Sequence, residues 1–193
     1  MLVHLTGSAR NLDKDLLHFR KIIEVLHKNN CVLARDWVEP TYNHMQQLSD
    51  KDKSEGLDWD AIYQDNMESI ARADVIIIEA TNMRFAQGYQ TALALQQKKP
   101  TLVISREPFE GKMISGADNT LLQASVYKSE EDLEKIVDKF VQENRVDTKD
   151  MRFNFFIDRP IYNYLRWAAL KTGKTKAEVL RELVKNEIDK KTK

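Results

Sequence analysis

Short apolar runs alternate with amphipathic segments over the first 145 residues. Residues 2–6 form an apolar run, and the segment after it has apolar residues at helical spacing from Leu16 to Leu26. The most hydrophobic run, residues 75–78, predicts a strand buried on both faces. The remaining predicted elements are strands over 31–34, 100–105 and 124–127 and helices over 58–72, 88–98 and 130–143. Strands that alternate with helices predict an α/β fold, a parallel sheet with helices on both faces.

The pattern also predicts where a ligand binds. A polar stretch over residues 36–56 predicts a long loop, and loops of that length in compact domains commonly carry function. In open parallel sheets the ligand crevice lies beyond the carboxyl ends of the strands. We therefore expect residues 7–11, 36–38 and 79–88 to surround one site.

The C-terminal residues follow a different pattern. Residues 145–150 form a polar connector, and residues 152–157 alternate polar and apolar side chains for most of their length, as a strand does. Pro160 opens a predicted helix that Gly173 closes, and a capping box at residues 175–178 begins a second one. A unit of this size cannot bury a core alone, so we expect it to dimerise. The predicted domains are residues 1–145 and 151–193.

Charge supports this division into two modules. The 193 residues are 42% apolar and carry 30 basic and 30 acidic side chains, which excludes a strongly basic nucleic-acid coat and an acidic tail. Residues 150–193 nevertheless carry 11 basic and 6 acidic side chains, a net charge of +5, against −5 for residues 1–149. This asymmetry indicates two modules with different functions.

Other classes of site and location are not expected. Cys31 is the single cysteine, which excludes an internal disulfide and a cysteine-based zinc site. The four histidines show no metal-ligand spacing, so we expect neither a metal ion nor a cofactor. The N-terminus lacks a signal-peptide pattern and no run of 18 apolar residues occurs, so a cytoplasmic protein without a membrane partner is expected.

Several residues are candidates for ligand binding. Gly7 and Ser8 follow the first strand, where backbone N–H groups bind an anion, and Arg10 adds donors; the alternative is that this loop only turns the chain. Trp37 stacks on a nucleobase or belongs to the core. Glu79 accepts a hydrogen bond from a ligand hydroxyl, acts as a displaced carboxylate, or simply ends its strand.

Five motifs occur in order along residues 1–128. They are Gly7-Ser8-Ala9-Arg10, residues 73–81, Gly88-Tyr89-Gln90, Lys99-Pro100 and residues 113–117. Together they resemble the nucleoside 2-deoxyribosyltransferase-like family, and most closely its branch of 2′-deoxynucleoside 5′-monophosphate N-hydrolases. The resemblance implies a flavodoxin-like, five-stranded parallel sheet and a nucleotide ligand bound in part by Gly88 and Tyr89.

The resemblance also implies which residues stand at the family's catalytic positions. In that family a glutamate directly after Gly-Tyr is the nucleophile, and an aspartate on the preceding helix positions it. The matching residues here are Gln90 and Asn66, with Asp65 as an alternative match. An amide is not a competent nucleophile and does not stabilise an oxocarbenium-like centre. Serines that the family uses on the phosphate correspond to Arg84 and Gly111, so Arg84 is expected at the anion site.

Residues 151–190 resemble an Arc-type ribbon-helix-helix domain. In that fold strands from two chains pair antiparallel, and their outward side chains enter the DNA major groove. The resemblance places Arg152 and Asn154 as base readers and Lys174, Thr175 and Lys176 as phosphate contacts. Phe156 stands at an outward position that is commonly polar, which leaves a dimerisation clamp without DNA binding as the alternative.

The combined prediction is a homodimer or larger oligomer that binds a nucleotide or nucleotide-derived signal without cleaving it, and that binds DNA. Two alternatives remain open. One is an active deoxynucleotide N-hydrolase or deoxyribosyltransferase that uses Glu79 or Asp65 as its carboxylate. The other is a structural dimer whose first domain has lost its ligand.

Overall fold

The computed structural model describes residues 1–9, 12–47, 58–109, 119–145 and 155–191. The chain divides into two compact units, Met1–Asp147 and Thr148–Lys193. Among the helices of the described ranges, none has the length and apolar character needed to cross a membrane.

The first unit contains one parallel five-stranded sheet. Its strands are β1 (Leu2–Thr6), β2 (Val32–Leu33), β3 (Val75–Glu79), β4 (Thr101–Ser105) and β5 (Leu122–Val126). They lie side by side in the order β2-β1-β3-β4-β5, and each neighbouring pair is parallel. This is the strand order of flavodoxin-like sheets. The predicted α/β fold with a five-stranded parallel sheet is confirmed.

Five helices of the first unit accompany this sheet in the described ranges. They are α1 (Leu12–Lys28), α2 (Val38–Gln46), α3 (Trp59–Arg72), α4 (Phe85–Gln96) and α5 (Glu130–Glu143). One core packs Leu5 and Ile77 against Phe19 of α1 and Phe140 of α5. The other packs Ile76 and Ile78 with side chains of α3 and α4. Strand β3 is therefore buried on both faces, as its apolar run predicts.

Some predicted boundaries are wrong. Helix α2 occupies part of the stretch predicted as a loop over 36–56; Pro40 lies in its first turn, where a proline is tolerated because no intrahelical N–H is lost. Residues 48–56 of that stretch lie outside the described ranges. Helix α4 begins three residues before the predicted Gly88, because the Gln87 side chain accepts from the Arg84 backbone N–H at 2.9 Å and caps the first turn.

The second unit is a helical hairpin. Helices α6 (Arg159–Thr172) and α7 (Lys176–Lys191) flank Gly173, which adopts the left-handed φ of +69°. The predicted capping box forms, since Thr175 and Glu178 bond reciprocally to each other's backbone N–H. The helices pack on Leu165, Ala168 and Val179. Residues 155–157 of the predicted strand do not form a strand in the described structure, and residues 152–154 lie outside the described ranges.

Candidate functional site

A cavity of about 450 Å³ opens at the carboxyl edge of the sheet, beside β1. Four segments enclose it: the end of β1, the chain after β2, helix α3 and the start of α4. Its lining residues are Thr6, Gly7, Ser8, Ala9, Arg35, Trp37, Thr41, Trp59, Ile62, Asn66, Arg84, Phe85, Ala86, Gln87 and Gln90. Strand order reverses at β1, so this is the switch-point crevice in which open α/β sheets bind ligands.

The loop after β1 is held close to the core and to α4. A Cβ atom on Gly7 would collide with the Phe19 ring and would lie 3.1 Å from the Glu79 carbonyl oxygen, so only glycine fits. The Gly7 carbonyl accepts from Gln87 Nε2 at 2.8 Å. Ser8 is 3% exposed, and its hydroxyl has no hydrogen-bond partner within the described ranges. The structure thus presents an unused hydroxyl to the cavity, while Arg10 lies outside the described residues.

The start of α4 supplies the features of an anion site. Residues 84–87 line the cavity, and the first backbone N–H groups of a helix carry partial positive charge. Arg84 directly precedes the helix and adds a full positive charge. Ser8, Arg84 and the first turn of α4 therefore line the same cavity.

Two amide side chains stand where the resemblance places catalytic carboxylates. Asn66 of α3 and Gln90 of α4 both line the cavity. Gln90 is 6% exposed, and its Oε1 has no hydrogen-bond partner in the described part of the chain. Asp65 does not line the cavity; it is exposed and pairs with Arg35 at 3.1 Å. Of the two alternatives on α3, the structure brings Asn66 to the site.

A neutral histidine lies buried near Gln90. His4 of β1 is fully buried, and its Nδ1 lies 2.7 Å from Ser69 Oγ. Burial lowers the pKa of His4 to about 4, against a weaker raising effect from Gln90, and the positive charge of Arg35 lowers it further. His4 is therefore uncharged at physiological pH and adds no positive charge near Gln90.

Arg35 is a cavity residue that the sequence analysis missed. Its Nη1 donates to Asn66 Oδ1 at 2.9 Å and its Nη2 pairs with Asp65 on the same helix. It lies two residues after β2, and the rule that sites lie beyond strand ends would have included it. Apart from Asn66 and Gln90, the other lining residues that lie outside the segments predicted to surround the site are Thr6, Thr41, Trp59 and Ile62.

Trp37 belongs both to the core and to the cavity wall. Its indole N–H donates to the Leu5 carbonyl at 2.8 Å, and its ring meets Phe19 edge-on with centroids 5.3 Å apart. These contacts fix the ring while it lines the cavity. Its orientation is therefore set by the fold before any ligand binds.

Gly88 and Tyr89 do not line the cavity. Successive helical residues point about 100° apart, so Gln90 faces the site while its two predecessors face elsewhere. A Cβ atom on Gly88 would meet only open space. The Tyr89 hydroxyl hydrogen-bonds with Tyr63, which raises the pKa of Tyr89. Neither residue is in position to contact a ligand in this cavity.

Glu79 is buried in a separate polar cluster and does not line the cavity. Its Oε1 accepts from the Tyr127 hydroxyl at 3.1 Å and from the Thr81 hydroxyl. Burial raises the pKa of Glu79, and the negative charge of Asp15 raises it further. Asp15 is itself fully buried and paired with Arg106. Glu79 is thus engaged in the fold at the end of β3.

The lining of the cavity is polar and positively charged. Its lining includes two guanidinium groups, hydroxyls and amides, and no aspartate or glutamate among the described residues. Within the same ranges no cluster of three histidine, cysteine, aspartate or glutamate side chains has the arrangement of a metal site.

The predicted DNA contacts of the second unit lie around the turn between α6 and α7. Lys174 pairs with Glu182, Thr175 caps α7, and Lys176 Nζ lies 4.6 Å from the centre of the Tyr162 ring. Arg152 and Asn154 lie outside the described residues.

The chain is similar to two curated proteins of one kind. It is 30% identical to 5-hydroxymethyl-dUMP N-hydrolase from Danio rerio over 148 residues, which are 74% of this chain and 96% of that protein. It is 31% identical to 5-hydroxymethyl-dUMP N-hydrolase from Esox lucius over 146 residues, which are 72% of this chain and 95% of that protein. No family model matches the chain.

Proposed function

The chain belongs to the nucleoside 2-deoxyribosyltransferase-like family, and from this premise we propose that it binds a nucleotide or nucleotide-derived signal without cleaving it. In this proposal the first unit is a catalytically degenerate sensor. The second unit is a ribbon-helix-helix module that dimerises and binds DNA, and the whole protein is a ligand-responsive regulator.

The observation that carries the proposal is that Asn66 and Gln90 both line a cavity whose described lining residues include no carboxylate. Arg84, Ser8 and the start of α4 suit the phosphate of a nucleotide. The fixed ring of Trp37 suits a nucleobase. The cavity volume of about 450 Å³ lies within the usual range for small-molecule sites.

The same residues argue against N-glycosidic bond cleavage. Retaining glycosyl transfer needs a carboxylate nucleophile, and the positive charge that develops on the sugar ring needs a negative neighbour. Gln90 supplies neither, and the cation nearest Asn66 is Arg35. Glu79 and Asp65, the carboxylates of the alternative enzyme reading, do not line the cavity.

The proposal for the second unit rests on its small core and its exposed apolar surface. Three apolar side chains are buried in its described part. Many more are exposed, namely Phe155, Phe156, Ile161, Tyr162, Tyr164, Trp167, Leu170, Leu183, Val184 and Ile188. A second copy that pairs through residues 151–157, as the ribbon-helix-helix resemblance implies, would cover part of this apolar surface. The net charge of +5 favours DNA as a ligand of that dimer.

One experiment separates sensor, enzyme and scaffold. The full chain is titrated with nucleoside 5′-monophosphates, including 5-hydroxymethyl-dUMP, by isothermal titration calorimetry, and each mixture is then analysed for free base by chromatography. We expect binding of at least one nucleotide with no base release. The double variant Gln90→Glu, Asn66→Asp tests whether the rest of the pocket is intact, because restored carboxylates would then release base.

The contrary results are distinct. Base release by the wild-type chain, lost in Glu79→Ala or Asp65→Ala, would establish the enzyme reading. If no nucleotide binds, the remaining hypothesis is a structural dimer whose first domain has lost its ligand.

A further inference from the structure

Two cationic side chains line the cavity at different points along α4. Arg84 directly precedes the helix, and Gln90 lies six residues further on, which corresponds to about 9 Å along the helix axis. Arg35 lies at the Gln90 end: its guanidinium bonds Asn66, and its charge acts on His4, which also interacts with Gln90. The cavity therefore has positive charge at both ends of this stretch.

The contacts of Arg35 within the protein leave part of its guanidinium group available to a ligand. Its two observed bonds go to Asn66 and Asp65, whereas a guanidinium carries five N–H donors. The Asp65 side chain is more than half exposed, so solvent weakens its ion pair with Arg35. Gln90 beside it is neutral and does not repel an anion.

A ligand with one phosphate can contact only one of the two positively charged ends of the cavity. The Ser8 hydroxyl, Arg84 and the α4 N-terminus account for a 5′-phosphate. Resting on the nucleotide-binding function proposed above, we infer that the ligand is a nucleotide with a second phosphate on its pentose, and that Arg35 binds this second phosphate. The pentose lies between the two phosphates, along the wall of the cavity that Asn66 and Gln90 line.

The test compares nucleotides that differ only in the second phosphate. Calorimetric titrations of the full chain use a nucleoside 5′-monophosphate, the 3′,5′-bisphosphate and the 2′,5′-bisphosphate of the same nucleoside. We expect one bisphosphate to bind at least about tenfold more tightly than the monophosphate, because a charge-assisted contact is gained. The isomer that binds more tightly identifies the pentose position.

Variants assign the gain to Arg35. Arg35→Gln should abolish the preference for the bisphosphate over the monophosphate, while Arg35→Lys should retain part of that preference. Arg20→Gln is the matched control, since Arg20 is also ion-paired, to Glu39, but does not line the cavity. Thermal melting without ligand verifies that each variant is folded.

Other outcomes overturn the inference in distinguishable ways. Equal affinity of mono- and bisphosphates for the wild-type chain rejects it and leaves the proposed function standing; this comparison needs no variant, so an unfolded Arg35→Gln does not block it. A preference that survives in Arg35→Gln also rejects it. Failure of every nucleotide to bind removes the proposed function and the inference together.

Discussion

The anion binding proposed for the cavity depends on single side chains. Arg84 and Arg35 supply positive charge, Ser8 an unused hydroxyl, and Asn66 and Gln90 two neutral amides. In the proposed function, Gln90 stands in place of the family's carboxylate, an exchange that would change little in shape but would remove a negative charge and a nucleophile.

Arg84 is predicted to bind the phosphate of the ligand. Arg84→Gln should weaken binding of a nucleoside 5′-monophosphate about tenfold and leave the matching nucleoside almost unaffected, because a charge-assisted contact to phosphate is lost. Calorimetry on both ligands measures the difference. Arg72→Gln is the control, since Arg72 pairs with Glu68 on α3 outside the cavity. Equal losses for nucleotide and nucleoside would assign Arg84 to the fold.

The raised pKa of Glu79 predicts that the stability of the protein depends on pH. Its pKa is raised in the folded state by burial and by Asp15, against lowering effects of Thr81, Tyr127 and Arg106. The stability that goes with the protonated form is present below the unfolded value near 4.5 and declines as the pH rises through the raised folded value. Glu79→Gln keeps an acceptor for Thr81 and Tyr127 and does not ionise.

The measurement is urea unfolding of both proteins between pH 4 and 8. The unfolding free energy of Glu79→Gln minus that of the wild type should increase from acid to neutral pH. A difference that stays flat across this range would mean that Glu79 has the same pKa in both states.

At the scale of elements, the cavity is formed by several segments, of which the sequence analysis predicted some and missed others. Short motifs identified Gly7 and Gln90, whereas the family resemblance placed Asn66, with Asp65 as the alternative, on the helix that precedes Gln90. Arg35 was missed because no local pattern marks it; its role comes from contact with α3, distant in sequence. Helix α2 was missed because Pro40 and polar residues imitate a loop, although a proline fits a first helical turn. Local pattern thus predicted the sheet and its order of elements better than the walls of the cavity.

Replacement of Gly7 and of Gly88 by alanine is predicted to change the free energy of unfolding in opposite directions. Gly7→Ala should lower the unfolding free energy by about 1–3 kcal/mol, because its Cβ would collide with Phe19 and crowd the Glu79 carbonyl. Gly88→Ala should raise it by about 0.5–1 kcal/mol, because Gly88 lies within α4 and its Cβ would meet open space. Urea unfolding compares both variants with wild type. Similar destabilisation by both would show that Gly88 is also under steric constraint.

At the scale of the whole molecule, two units of opposite net charge share one chain. The first has two cores on a complete sheet. The second buries few apolar residues for its size in the described ranges. The pattern of residues 151–193 specifies helices and caps, whose signals are local, but it leaves many apolar side chains of the described part exposed in one chain.

Self-association is predicted to depend on the exposed apolar positions of α7. The full chain should sediment as a dimer or larger species, and Val184→Glu should shift it toward smaller species, because a charge would be buried at the interface. Lys185→Glu, at the next position of the same helix, is the control that adds a carboxylate to a charged position. Sedimentation velocity measures the size of each protein. An unchanged size for Val184→Glu would place the dimer contacts elsewhere.

DNA binding provides the test at the largest scale, because it requires a dimer whose basic side chains reach phosphates. Lys174→Ala and Lys176→Ala should each weaken binding to all sequences and reduce the slope of log affinity against log salt by about one, the effect of one lost phosphate contact. Both lysines also make internal contacts, with Glu182 and the Tyr162 ring, so the salt slope, and not affinity alone, identifies phosphate contact. Lys139→Ala, an exposed lysine of α5 in the first unit, is the control. If the intact dimer binds no DNA even at low salt, the second unit is a dimerisation clamp. Dimerisation through its exposed apolar surface would then be its remaining predicted function.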